Sequence, residues 1–297
     1  MSIYKSFAVV GGGLIGLPIV NALAARNVSV VLLSRPESAK KVVPPGVQVA
    51  TVDYTDPSAV AAVFKEHKVD VVLSTLGSYV PAAQTPLVEA AKLAAVKLFA
   101  PSEYGMPTNG FTEGALGVKA QIAGKDSIGG ALLGSDEVPE DLKAAGIPSA
   151  RFYTGMFPEI MQWFVGYTEH GKVRIVGTGE VPVSFTSVPD IAGFVAHVLT
   201  TLPPSELENR EFRMEGERAT LNDLGPLFKT SVEHVDRITG EKGESMTSLF
   251  AILESGAGST GWNQVIRSEE LGSKAAGSAN ALWPGHKWLT IQETLNL

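Results

Sequence analysis

The first third of the chain carries short, predominantly apolar runs, each with at most one polar residue, rather than alternating ones. Phe7-Ala8-Val9-Val10, Val28 to Leu33, Val47 to Ala50, Val69 to Leu73 and Val96 to Phe99 are each too short for a helix and are bounded by turn residues. Such runs read as strands with both faces covered. Longer stretches lie between them: one from Leu14 onward, one from Pro57 to about His67 with Asp56 as its N-cap, and one from roughly Gln84 to Ala95. Strand and helix in strict alternation predict an α/β domain with a parallel sheet. From about Arg151 the alternation loosens. Strands are expected near Lys172 to Val176 and Glu211 to Met214, with helices near Asp190 to Thr200, Leu221 to Thr230 and Ser245 to Glu254. The division predicted is therefore 1–150 for the first domain and 151–297 for a mixed α/β region, mostly a smaller lobe. Trp262, Trp283 and Trp288 line the substrate side of that lobe or fill its core.

The segment Phe7 to Arg26 is uncharged until its last residue and sits just behind Lys5. That pattern suits a secretion signal, a membrane anchor or a strand-turn-helix. Gly11-Gly12-Gly13 would put three poor helix formers in the middle of a signal core, with Pro18 close behind. The same residues suit a tight turn after a strand. Gly11-x-Gly13-x-x-Gly16 is then a dinucleotide fingerprint: Gly11 allows the turn, Gly13 lets pyrophosphate approach the main chain, and Gly16 lets the helix pack on the strand. The N–H groups at the helix start, about Leu14 and Ile15, face the anion. The fold expected is α/β: a Rossmann-type doubly wound parallel sheet with a smaller C-terminal substrate lobe.

The second strand ends in Ser34-Arg35-Pro36. An acid there would bind the ribose hydroxyls of NAD, whereas a guanidinium suits a 2′-phosphate, with Lys40 or Lys41 as a second charge. The reading is NADP(H), against the alternative that Arg35 is a solvated loop cation. In a doubly wound sheet ligands bind beyond the carboxyl ends of strands. Thr75-Leu76-Gly77 and Pro101-Ser102-Glu103 should therefore border the cofactor, unless their loops are plain turns.

Composition narrows the function. Of 297 residues, 44% are hydrophobic and 19% charged, as in ordinary globular proteins. A net charge of −7 with no basic run disfavours nucleic acid as a partner. There is no cysteine, which removes disulfides and thiolate chemistry and points to a reducing, cytoplasmic compartment. His67, His170, His197, His234 and His286 never fall four apart, so no metal is expected. Tyr-x-x-x-Lys is absent, because the residues four after the six tyrosines are Ala8, Ser58, Ala83, Thr108, Phe157 and Gly171. There is no Gly-x-Ser-x-Gly, and Val173 spoils the phosphate-loop imitation at Gly166 to Lys172.

Several blocks together resemble the NmrA-like group of atypical short-chain dehydrogenases, which includes isoflavone, pinoresinol–lariciresinol and phenylcoumaran benzylic ether reductases. They are the glycine turn, Ser34-Arg35-Pro36, Asp70 to Ser74, Phe99-Ala100-Pro101-Ser102-Glu103-Tyr104-Gly105, Gly146-Ile147-Pro148 and Phe152 to Phe157. The resemblance spans roughly Phe7 to Thr200, and 182–200 looks like a return to the nucleotide domain. Val10 stands where the family tends to have a further glycine. The resemblance implies one catalytic lysine after the Pro-Ser-Glu block. Lys119 is the best match, also placed against the cofactor, and Lys125 is the runner-up. Gly124 to Glu140 reads as an insertion, either a flexible lid or a solvated loop.

On this reading NADPH lies over the strand ends and its nicotinamide reaches Pro101, Lys119 and the loop Tyr153, Thr154, Gly155, Phe157. Lys119 acts as general acid or base while hydride moves to a small aromatic or conjugated-carbonyl substrate. Tyr104, Phe111, Met156, Phe157 and Trp163 are candidates to hold the substrate, or else belong to the core. The group also contains dinucleotide-sensing regulators that act through a protein partner without turnover. Lys119 favours the enzyme, since a sensor needs no proton donor. No membrane partner is expected, and a homodimer is left open.

Overall fold

The computed structural model describes residues 4–38, 40–77, 81–108, 137–240 and 243–297. The chain forms two compact units. The first is drawn from Met1–Tyr104, Gly134–Phe152 and Ile191–Phe212, and the second from Gly105–Leu133, Tyr153–Asp190 and Arg213–Leu297.

The first unit is organised by a five-stranded parallel sheet. Its strands are β1 (Ser6–Val10), β2 (Ser29–Ser34), β3 (Gln48–Thr51), β4 (Val71–Ser74) and β5 (Leu98–Ala100), in the order β3-β2-β1-β4-β5. Every residue of central β1 is buried, as its apolar run Phe7–Val10 requires, whereas edge strand β3 is mostly exposed. The sequence-predicted strands are all present; β1 begins one residue earlier than expected and the other four one or two residues later.

Helix α1 (Gly16–Ala24) follows β1, α2 (Pro57–Glu66) follows β3 and α3 (Pro81–Leu93) follows β4. Asp56 caps α2, its carboxylate accepting from the N–H groups of Ser58 and Ala59, both at 3.0 Å, with Pro57 in the first turn. Val60, Phe64, Leu87, Val88 and Ala91 bury against Ala8, Val10, Val31, Leu33 and Val72 on one sheet face. On α1, Ile19, Val20 and Leu23 are also buried. The part of the C-terminal half that joins this unit is Ile191–Phe212, where Phe212 stacks on Phe152 at 5.1 Å and His197 lies 3.3 Å from Arg26.

The strand order reverses between β1 and β4, whose carboxyl ends pair at Val10 and Ser74. This is the switch point at which a doubly wound sheet opens a crevice for ligand.

The second unit contains short two-stranded pairings: Val173–Val176 parallel to Val232–Val235, and Val183–Phe185 antiparallel to Glu217–Ala219. The helix expected over Leu221 to Thr230 is cut to Leu224–Leu227. Pro226 offers no N–H. A Cβ on Gly225 would lie 2.5 Å from a Val232 methyl, so close packing holds this segment in place of a regular helix. The helix expected over Ser245 to Glu254 runs from Gly243 to Ile252 and gives way to a wider turn, Leu253–Ala257, where Gly256 takes φ 100°. No helix among the described residues is long and apolar enough to cross a membrane.

Phe111, Lys119, Lys125 and the 124–136 part of the expected insertion lie outside the described residues. The last part of that stretch enters the helix Glu137–Ala145.

Candidate functional site

The glycine turn is built by the switch point itself. Gly11 donates its N–H to Leu33 O at 3.1 Å and takes φ 98°, where a side chain would be strained. The Thr75 N–H donates to Val10 O at 2.9 Å. Its hydroxyl lies 2.7 Å from Gly11 O and 3.0 Å from Val10 O, donating into the turn. A Cβ on Gly16 would sit 2.0 Å from Gly11 O and 2.4 Å from Thr75 Oγ1, so only glycine permits this approach of α1 to the strand end. A Cβ on Gly13 would meet no protein atom within 4 Å. One turn, one hydroxyl and one missing side chain thus leave Gly13 the open face.

Helix α1 differs from α2 at its start. Its N-cap is Ile15, with no side-chain hydrogen bond to its first N–H groups and no acid in its first turn. Leu14 is 46% exposed while Ile15 is buried. The helix start therefore offers N–H groups and positive dipole with no side chain competing for them.

At the end of β2, Arg35 and Glu37 form an exposed ion pair with Nε–Oε1 3.2 Å. The buried Tyr54 ring lies beside the same loop and its hydroxyl donates to Leu33 O at 2.8 Å. Burial pushes the Tyr54 phenol up to about 12, so it is a neutral donor. The stem of Lys41 runs along the turn, since a Cβ on Gly12 would lie 3.3 Å from its Cγ and 3.4 Å from its Cε. Lys40 is exposed. Of the two lysines considered in the sequence, Lys41 is thus the one placed against the glycine turn.

The loop beyond β5 packs against the one beyond β4. Ser102 donates its hydroxyl to Leu76 O at 2.6 Å and its N–H to the buried Gln84 carbonyl at 3.0 Å. Thr75, Leu76 and Gly77 are half-buried, and a Cβ on Gly11 would meet Leu76 Cδ2 at 3.2 Å. Pro101 and Glu103 are buried. Tyr104 is buried too, and its ring stacks with Phe152 at 6.1 Å. Burial raises its phenol pKa, which keeps the hydroxyl protonated.

In the second unit the loop Tyr153–Phe157 is held by main chain. Thr154 and Gly155 donate to Gly105 O at 2.8 and 3.0 Å, and Met156 donates to Ser184 O at 2.8 Å. Gly155 takes φ 65°, and a Cβ there would fall 2.1 Å from Ser184 O. Tyr153, Thr154, Met156 and Phe157 have no exposed side-chain surface, whereas Trp163 is 36% exposed. Their aromatic and apolar bulk fills the interior of this unit.

These features fit a dinucleotide pyrophosphate: a positive-φ turn, an unobstructed Gly13 and an uncapped helix start with no acid in its first turn. Among the described residues no group of three His, Asp or Glu side chains is arranged to hold a metal. The sequence reading passes over Glu37 and Gln84. An acid two residues after the expected phosphate-binding arginine was a visible signal for the first, but Gln84 on a helix face gave none.

Comparison with known proteins identifies the family and the fold. An oxidoreductase, BOA1, of Botryotinia fuckeliana is 31% identical over 260 residues, covering 80% of this chain and 77% of that protein. The isoflavone reductase homolog IRL of Zea mays is 30% identical over 266 residues, covering 82% and 78%. The solved complex of leucoanthocyanidin reductase with NADPH from Vitis vinifera superposes with a TM-score of 0.74, at 18% identity and 98% coverage of both chains, and so shares the fold. The model of the NmrA-like family matches residues 4–295, nearly end to end, and the chain belongs to that family.

Proposed function

We propose that the protein is a cytoplasmic NADPH-dependent reductase of a small aromatic or conjugated-carbonyl compound. The observation that carries the reading is the open Gly13 beside an uncapped helix start, in a chain about 30% identical to an oxidoreductase and to an isoflavone reductase homolog. When bound, NADPH supplies a hydride for a polarised substrate carbon. The chain's own residues do the rest. The main chain at Gly11 to Gly16 receives the pyrophosphate, and Arg35 with Lys41 takes the 2′-phosphate. The loops at Thr75–Gly77 and Pro101–Glu103 border the cofactor. Lys119 holds a proton at Nζ and delivers it to the substrate oxygen, a role resting on the resemblance of Leu116 to Gln121 to the family's lysine segment.

Screening NADPH oxidation against phenylpropanoid ethers, enones, aldehydes and quinones tests the reading. Turnover of one class that falls in Lys119→Ala, with NADPH affinity kept, supports it. Silence toward every class, with NADPH still bound, would instead favour a dinucleotide sensor acting through a protein partner. Full activity of Lys119→Ala removes the lysine from the mechanism.

A further inference from the structure

The Arg35–Glu37 pair poses a question that a 2′-phosphate site does not answer by itself. Between Ser34 and Val52 the chain has one acidic residue, Glu37, and its carboxylate occupies the Nε edge of the arginine at 3.2 Å. Both side chains are more than half exposed. The pair therefore gains little from its own attraction, which water screens, and a carboxylate placed there adds almost nothing to stability. Its effect on an incoming anion is larger. A 2′-phosphate must share or displace Glu37 at the guanidinium, and it meets a like charge a few ångströms away.

Resting on the reading of Arg35 as the 2′-phosphate ligand, we propose that Glu37 is a specificity-determining residue that holds down the preference for phosphorylated dinucleotide. Glu37 occupies Arg35 in the absence of the phosphate and repels it on arrival. NADH lacks that phosphate and is indifferent to the exchange. The charge balance of one short loop thereby sets how far NADPH outcompetes NADH, while Lys41, along Gly12 and without a carboxylate partner of this kind in the loop, supplies the remaining positive charge.

Calorimetric titration of the full chain with NADPH and NADH separates the outcomes. Glu37→Gln keeps the size and one acceptor oxygen of the side chain and removes its charge, and it should tighten NADPH binding by roughly three- to tenfold while leaving NADH binding unchanged. The gain should shrink in an Arg35→Ala background and at high salt. If Arg35→Ala abolishes the NADPH preference but Glu37→Gln leaves it unchanged or weakens it, Glu37 does not compete, and the inference fails while the Arg35 reading survives. Equal tightening of both dinucleotides overturns the inference as well. If Arg35→Ala leaves the preference intact, the reading beneath the inference fails.

Discussion

The Thr75 hydroxyl lies 2.7 Å from the carbonyl oxygen of Gly11 and donates to it, joining the loop after β4 to the turn after β1. The two residues are far apart in sequence, yet parallel pairing of Val10 with Ser74 brings them together. Thr75 therefore braces the glycine turn. Thr75→Val removes the donor and keeps the bulk. It should cost about 1 kcal/mol of stability, seen as a Tm lower by roughly 2–4 °C, and weaken NADPH binding in calorimetry. Thr75→Ser should restore both.

Two glycines of the same turn should separate folding from binding. Gly16→Ala puts a methyl 2.0 Å from Gly11 O, so main chain must move. A loss of about 1–3 kcal/mol in denaturant unfolding is expected, together with lost cofactor affinity. Gly13→Ala meets no protein atom within 4 Å and should leave the unfolding midpoint almost unchanged while weakening NADPH binding. Unaltered affinity in Gly13→Ala would mean that the phosphates do not approach this face.

Helix α2 provides a control away from the site. Asp56→Ala removes an acceptor from two N–H groups and should cost about 1 kcal/mol, with dinucleotide affinity intact.

Glu159 predicts a pH effect in the second unit. Burial raises its carboxyl pKa, opposed by the Val188 N–H at 2.8 Å and assisted by the charge of Asp190. A carboxyl whose folded pKa lies above its unfolded value binds its proton more tightly when folded. Its contribution is complete below the unfolded pKa and is lost as pH rises through the folded one. Glu159→Gln keeps an acceptor for Val188 and removes this titration. Chemical denaturation from pH 4 to 8 should show the variant gaining on the parent as pH rises, and parallel curves would contradict the assignment.

Much of the first unit was readable because its information is local. Five apolar runs and the helices between them follow from residue periodicity, and Asp56-Pro57 announces a helix start by its own chemistry. Gly11, Gly13 and Gly16 are spaced for a task that neighbours in sequence can express. The second unit was harder to read for the opposite reason. Leu221 to Thr230 has helix-like spacing, but Gly225 packed on Val232 and the imino nitrogen of Pro226 shorten it.

The candidate site divides along the same line. Residue order by itself determined the alternating fold, the glycine turn and the cation at the end of β2. Tertiary structure alone decided that the Thr75 hydroxyl faces the glycine turn, that Lys41 lies along Gly12 and that Met156 and Phe157 are wholly interior. Local pattern sets which way a backbone bends, because dihedral preferences and hydrophobic period act over a few residues. Which side chains meet depends on strand order, and only the folded sheet brings Val10 beside Ser74.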